Sequence, residues 1–517
     1  MDRRSARQSI GVCRVSFLRN SAFNFMGGLL PAVAVFISIP LLLNRIGGDA
    51  YGALVLITSI VGYFGIIDVN ATAGSVKYVA QHRAKGEHDD VNRVVSFGLL
   101  LYAAIGLLGG AALWWGADLL VTRVFRIDAS WREQALLALQ VSAFAFFFGQ
   151  LQQYLQSIPQ ALGRFDLSGQ FDALFGTLAP LSTIAVVLLG GGLVEIVAAR
   201  LVLSVVHCGV LVGVVRHLLP ALKLRRPDRK TTHKVSAFSA YSYLQRLAAI
   251  TYGNADKLLI SANHSLGALT TYVVPYTLVS RVYALLSRLM QGIFPLASAL
   301  LALDDMAGLR TRFVYVSRYM LFLNICVCLL LALFAQELLH YWLQTKMDVR
   351  APIVLVIVAY ALLADSLSNV PSLVNDGLGR PHITGVAAIV RVALGVAAAW
   401  WALSVSGIVA LALSQLAVSW FMSVAFLIYV HYRSLPWRLV DVARPIYAAN
   451  LAVLLCGTLV AWARWGSPAL PWWTFVTAIV VLFILLAAAG WFLILLPEHR
   501  SRLSTLVAYR LARPLRG

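Results

Sequence analysis

Charge is scarce in this chain. Only 12% of its 517 residues are Asp, Glu, Lys or Arg, while 60% are hydrophobic, and the mean hydropathy is +0.80. A water-soluble core cannot absorb that much apolar surface, so a soluble globular protein is excluded. Cysteine is also rare. Cys13, Cys208, Cys326, Cys328 and Cys456 are scattered, mostly within apolar runs, which leaves neither a disulfide framework nor a metal site. The ten histidines lack ligand spacing, and no phosphate-binding Gly-rich loop, H-E-x-x-H pair or nucleophile elbow occurs. No connection between apolar runs exceeds about 20 residues, so there is no room for a soluble catalytic domain. These absences point away from an enzyme and give no cofactor.

What remains is a series of apolar runs. A spanning helix needs about 20 such residues. The spacing predicts about fourteen transmembrane helices, at 20–43, 51–76, 94–116, 134–158, 167–189, 193–215, 236–259, 268–298, 314–336, 352–375, 383–404, 406–430, 444–463 and 472–496. The net charge of +20 would suggest nucleic acid in a soluble protein, but here it follows topology. With the N-terminus cytoplasmic, roughly 29 of the 42 basic residues fall on the cytoplasmic side, roughly 8 on the other and 5 in the membrane. Both termini are then cytoplasmic, and no nucleic-acid partner is implied.

The chain also repeats itself. Leu162-Gly163-Arg164 precedes Ser168-Gly169, and Leu378-Gly379-Arg380 precedes Thr384-Gly385, at a constant offset of 216. Tyr51 and Tyr272 open the second span of each half, and Asp89-Asp90 and Asp304-Asp305 share the next loop. A six-span unit enters the membrane twice from the same side, which is a parallel repeat. The expected organisation is an N-lobe at 1–217 (spans 1–6), a basic cytoplasmic linker at 218–235 and a C-lobe at 236–432 (spans 7–12). Spans 13 and 14, an extra helix pair, occupy 433–517 with a basic cytoplasmic tail.

Five arginines fall inside apolar runs: Arg200, Arg246, Arg281, Arg288 and Arg391. An arginine at a helix centre costs roughly 2.5–3.5 kcal/mol or more in lipid, so several together predict a wet cationic cavity with an anionic guest. Arg281 and Arg288 are seven residues apart and share a helix face, which Gln291 extends. Arginine suits phosphate because its planar fork binds oxygen pairs and stays ionised. The competing reading is structural. Arg200 and Arg391 can snorkel to a membrane face or pair with Asp172, Glu195 or Asp365. Asp365, the most deeply placed acid, either couples the cycle to a proton or sodium ion or bridges to a cavity arginine. Asp256-Lys257 reads as a self-paired dipeptide at the end of span 7, and Asp68 is open to either reading.

The stretch Leu41-Leu42-Leu43-Asn44-Arg45-Ile46-Gly47-Gly48-Asp49-Ala50-Tyr51-Gly52-Ala53-Leu54 resembles the first-to-second span of Wzx-type bacterial polysaccharide flippases. So do Gly62 to Asp68, Lys77 to Ala80, Lys85-Gly86-Glu87, Ala161 to Phe165 and Asp256 to Ile260, within about residues 15–430. The resemblance implies the multidrug/oligosaccharidyl-lipid/polysaccharide exporter superfamily, with two six-helix lobes that alternate in access. It also implies translocation of an undecaprenyl-pyrophosphate-linked oligosaccharide across the bacterial inner membrane for O-antigen, capsule or exopolysaccharide synthesis. Partners would be membrane lipid and the polymerase and glycosyltransferases of that pathway. The alternatives are a cation-coupled multidrug exporter of the same fold, which would favour cavity acids over arginines, and a lipid II flippase. That last branch carries arginines on its first two spans, where this chain has Asn20 and Asn24 with Arg19 and Arg45 at the ends of span 1.

Overall fold

The computed structural model describes residues 3–68, 71–220, 222–223, 225, 229–290, 293–344, 348–501 and 504–505. Every regular element among the described residues is helical. The order is α1 (Arg3–Phe64), α2 (Ala71–Ala84), α3 (His88–Leu119), α4 (Ala129–Ala161), α5 (Phe165–Leu188), α6 (Leu193–Leu218), α7 (Arg229–Asn263), α8 (Leu266–Met290), α9 (Ile293–Ala302), α10 (Met306–Leu333), α11 (Ala335–Leu343), α12 (Ala351–Gly377), α13 (Pro381–Arg433), α14 (Leu439–Arg464) and α15 (Trp472–Ala489).

Among the described residues, ten helical stretches are long and apolar enough to cross a membrane. Two of them are too long to be single passes. Pro381–Arg433 has 53 residues, a rise of about 80 Å at about 1.5 Å per residue, against a hydrocarbon core of about 30 Å. It breaks at Gly407 (φ 75°), and α1 breaks likewise at Gly47 (φ 84°). Each is therefore two passes. Helices α7 and α8 have the length, 35 and 25 residues, but carry charged residues such as Arg246, Lys257, Arg281 and Arg288. With them the described chain reaches the fourteen passes expected, as an all-α multi-pass membrane protein. One boundary differs from the sequence reading. Span 2 does not continue to 76: its helix ends in a 3₁₀ turn, Gly65–Ile67, and polar α2 starts afresh at Ala71.

The parallel repeat is written in the backbone. Residues with positive φ recur in pairs: Gly86 and Asp304, Arg126 and Gln344, Gly163 and Gly379, Gly190 and Gly407. The offsets are 218, 218, 216 and 217. The Leu-Gly-Arg turns use the same bonds. Leu162, Gly163 and Arg164 N–H groups donate to the carbonyls of Ile158, Gln160 and Pro159 at 3.1, 3.0 and 2.9 Å. Those of Leu378, Gly379 and Arg380 donate to Val374, Asp376 and Asn375 at 2.9, 3.0 and 3.2 Å. This is a helix C-terminus closed by a left-handed residue, the position where glycine avoids the Cβ penalty. Such turns recur because the same six-helix path is traced twice.

Packing divides the chain differently from the repeat. One compact unit comprises Met1–Arg281, Leu343–Val354 and Gly385–Val418; the other comprises Val282–Trp342, Leu355–Thr384 and Ser419–Gly517. Thus α7, the first helix of the second repeat, packs with α1 and α2. The core of the first unit stacks Tyr102 on Tyr154, with ring centroids 5.2 Å apart, among Val94, Val95, Ile158 and Leu211. In the second unit, α14 and α15 leave large apolar side chains such as Leu459, Phe483 and Leu485 exposed, as lipid contact requires. They are held by arginine. Arg318 of α10 donates to the carbonyls of Pro445 at 2.9 Å and Leu493 at 2.6 Å. Arg464 pairs with buried Glu337, which also accepts from the Leu470 N–H at 3.0 Å.

Two contacts in the first unit set how α1 meets α7 and α8. The carbonyl of Leu266 occupies the space where a Cβ at Gly52 would stand, and Thr270 Oγ1 donates to the Gly48 carbonyl at 2.7 Å. At the far end of the same pass, Asp68 is fully buried and pairs with Arg246 of α7 at 2.8 Å. Gln153 Nε2 donates to it at 2.5 Å, and the Tyr102 hydroxyl lies against the same carboxylate. Tyr243 donates to the Ile66 carbonyl at 2.8 Å, pinning the 3₁₀ turn beside the pair.

Replacing Gly52 by Val should cost about 1–3 kcal/mol, because a backbone carbonyl cannot yield as a side chain can. It should appear as a lower thermal unfolding temperature of the purified protein. Removing one partner of a buried ion pair costs about 3–5 kcal/mol. Asp68→Ala should approach that loss, and adding Arg246→Ala should restore part of it, measured as a double-mutant cycle. Strict additivity of the two substitutions would show that the pair contributes nothing.

Candidate functional site

Three of the five arginines meet in the first compact unit. Arg200, in the second turn of α6, and Arg281, toward the end of α8, both lie within electrostatic range of the buried Tyr51 hydroxyl, just past the break in α1. Arg200 is half-buried, and its Nε is enclosed with no hydrogen-bond partner among the described residues. Arg281 is exposed. It also acts on Lys257 of α7, whose ammonium donates to the Gly253 carbonyl at 2.8 Å and sits 5.8 Å from the Tyr276 ring centroid.

Arg391 of α13 joins from another side. Its Nη2 donates to the Tyr252 hydroxyl at 3.1 Å, and its guanidinium carbon lies 4.7 Å from the centre of that ring. It is within range of Asp256, which accepts the Tyr272 hydroxyl at 2.8 Å. Tyr272 in turn stacks on Tyr276 at 5.9 Å. The result is four cations (Arg200, Lys257, Arg281 and Arg391) set against the carboxylate of Asp256 and lined by Tyr51, Tyr252, Tyr272 and Tyr276. Along α7, Tyr252 and Lys257 are separated by about 7.5 Å of helix rise.

The remaining candidates lie elsewhere. Arg246 is committed to Asp68, about 9 Å of helix rise below Tyr252 on α7. That is the structural role that the sequence left open for Asp68. Arg288 is half-buried on the same helix as Arg281, but in the second compact unit. Gln291 lies outside the described residues. Asp365 also belongs to the second unit, near the buried Tyr283, whose hydroxyl donates to the Asn324 and Ala359 carbonyls at 3.2 and 3.4 Å. The acids offered as structural partners have other work. Glu195 caps α6 through the Gly192 N–H at 2.8 Å, and Asp172 accepts from Gln156. Asp256 and Lys257 do not close a span, since α7 continues to Asn263. Their contacts run to Tyr272 and Gly253, within the cluster.

Sequence reasoning passed over Lys257, Tyr252 and Tyr276 as site residues. One signal was available: Tyr51 and Tyr272 were the matched tyrosines of the repeat, and both are buried at the cluster. Tyr252 and Asp256 are also four residues apart, so they share a helix face.

Comparison with known proteins agrees with this architecture. Solved structures of similar fold include the lipid II flippase MurJ in an inward closed conformation, with a TM-score of 0.66 and 12% identity over 96% of this chain and 100% of that one. A multidrug resistance MATE-family transporter of the MOP superfamily, inward-facing, gives a TM-score of 0.64 and 13% identity over 86% of this chain and 96% of that one. At these identities the likeness is one of fold. A putative O-antigen transporter of Shigella flexneri is 28% identical over 95 residues, which is 18% of this chain and 22% of that transporter. The model of the polysaccharide biosynthesis protein family matches residues 42–349, from the first break in α1 through the whole cationic cluster apart from Arg391. The chain therefore belongs to the polysaccharide biosynthesis protein family, with a fold similar to that of those two solved structures.

Proposed function

We propose that the protein is a flippase that carries an undecaprenyl-pyrophosphate-linked oligosaccharide across the bacterial inner membrane by alternating access, for surface polysaccharide synthesis. The observation that carries this reading is the cluster of Arg200, Lys257, Arg281 and Arg391 in a chain of this family. A pyrophosphate needs cations that stay charged, and guanidinium groups bind its oxygen pairs in a planar fork. The enclosed, unpaired Nε of Arg200 is a donor awaiting an acceptor. Arg281 and Arg200, both within electrostatic range of Tyr51, grip the phosphates, with Lys257 adding charge. Arg288, two turns along α8, is a further candidate cation, while the polyprenyl tail stays in lipid. Arg246 supports the site through α7 and Asp68 rather than by touching phosphate.

The cycle needs the phosphate released as well as bound, so the cations cannot favour it equally in every state. Asp365 is the candidate for coupling to a proton or sodium ion, and polymerase and glycosyltransferases are the expected pathway partners. The distribution of Lys and Arg supports a cytoplasmic location for both termini. Organic cations, the usual guests of drug exporters, fit a site with four cations poorly.

The test is flipping of a polyprenyl-pyrophosphate glycan in proteoliposomes. Arg281→Gln and Arg200→Gln should each lower the initial rate by about tenfold or more, the loss of one charge-assisted contact of about 1.5–3 kcal/mol. Wild-type rates in both variants would overturn the site. Transport of an organic cation in place of the glycolipid would overturn the function.

A further inference from the structure

Resting on that reading, we propose that Tyr252, Arg391 and Asp256 form a sugar-binding platform that recognises the glycan next to the pyrophosphate and makes the site selective for a glycosylated lipid. Tyr252 is 36% exposed, although it lies toward the middle of a membrane-spanning helix. A guanidinium is a poor neighbour for lipid, yet Arg391 lies 4.7 Å from the ring centre and donates to the ring hydroxyl. The ring therefore opens onto water, held in place by a cation above it. An exposed, immobilised aromatic ring in a wet membrane cavity offers an apolar surface with little entropy left to lose on binding.

A pyranose matches it. Its axial C–H bonds form an apolar face, and its hydroxyls form a polar rim. With the face on Tyr252, the rim meets Asp256, one helical turn along the same side of α7. The Tyr272 hydroxyl takes one position on that carboxylate at 2.8 Å. A carboxylate has about four acceptor positions, so capacity remains for sugar hydroxyls. The Arg391 guanidinium supplies donors for sugar oxygens on the other side. The order along α7 also fits. Tyr252 stands about 7.5 Å of helix rise from Lys257, which places the platform beside the phosphate cations and within reach of the first sugar. A purely structural tyrosine would more simply be buried, as Tyr272 and Tyr283 are.

The experiment measures binding of two probes to the full-length protein in nanodiscs: polyprenyl pyrophosphate, and the same lipid carrying one N-acetylhexosamine. Wild type should bind the sugar-bearing lipid more tightly, and Tyr252→Ala should remove about tenfold of that preference, read as the ratio of the two affinities in the same variant. The thermal unfolding temperature of each variant, measured alongside, shows that it is folded. Tyr252→Phe keeps the ring and should keep most of the preference; Asp256→Asn should lower it in part. If wild type binds both lipids equally, or if Tyr252→Ala keeps the sugar preference, the platform is overturned and the pyrophosphate reading stands. If wild type binds neither lipid, the pyrophosphate reading falls and the platform falls with it.

Discussion

A guanidinium in a membrane must have water, a carboxylate or a substrate beside it, and the arrangement of this protein follows from that requirement. The cost of an isolated cation is several kcal/mol in lipid, so each intramembrane arginine marks a place where the helices have made room for a partner. Arg246 finds Asp68, a carboxylate with no exposed surface. Arg318 finds two helix carbonyls and Arg464 finds Glu337, and these bonds tie α14 and α15 to the body they pack on. What distinguishes Arg200 and Arg281 is that both lie within electrostatic range of the buried Tyr51 hydroxyl, with Arg281 also near Lys257.

The same helices therefore carry two kinds of arginine. On α7, Arg246 pairs with Asp68 at one level, and Tyr252, Asp256 and Lys257 belong to the candidate site higher up. The close approach of α1 and α8 at Gly52 and Thr270 holds Tyr51 at the edge of that site. Packing and the candidate site are coupled because α7 contributes to both. A change at the Asp68 pair acts on the cations through the helix that bears them.

The fold was largely legible in the sequence. Span length is set by the thickness of the hydrocarbon core, and an apolar run of about 20 residues has few other uses. The Leu-Gly-Arg repeat was visible as letters, and it was the same turn twice because only certain residues take positive φ at a helix end. The sequence was less informative at Asp68, which falls inside the 51–76 stretch read as one span. The helix ends there because a buried carboxylate, satisfied by Arg246, Gln153 and Tyr102, holds the backbone in a different path.

Composition and periodicity by themselves determined that this is an all-helical membrane protein with a doubled six-span core, an appended pair and a surplus of intramembrane cations. Those properties depend on local hydrophobicity and charge, which a linear chain states directly. Only the tertiary structure decided which cations are spent on the fold and which stand together. Asp68 and Arg246 are 178 positions apart, and Tyr252 and Arg391 are 139 apart. No spacing rule reaches across such distances, because the partners of a buried charge are chosen by which helices pack side by side.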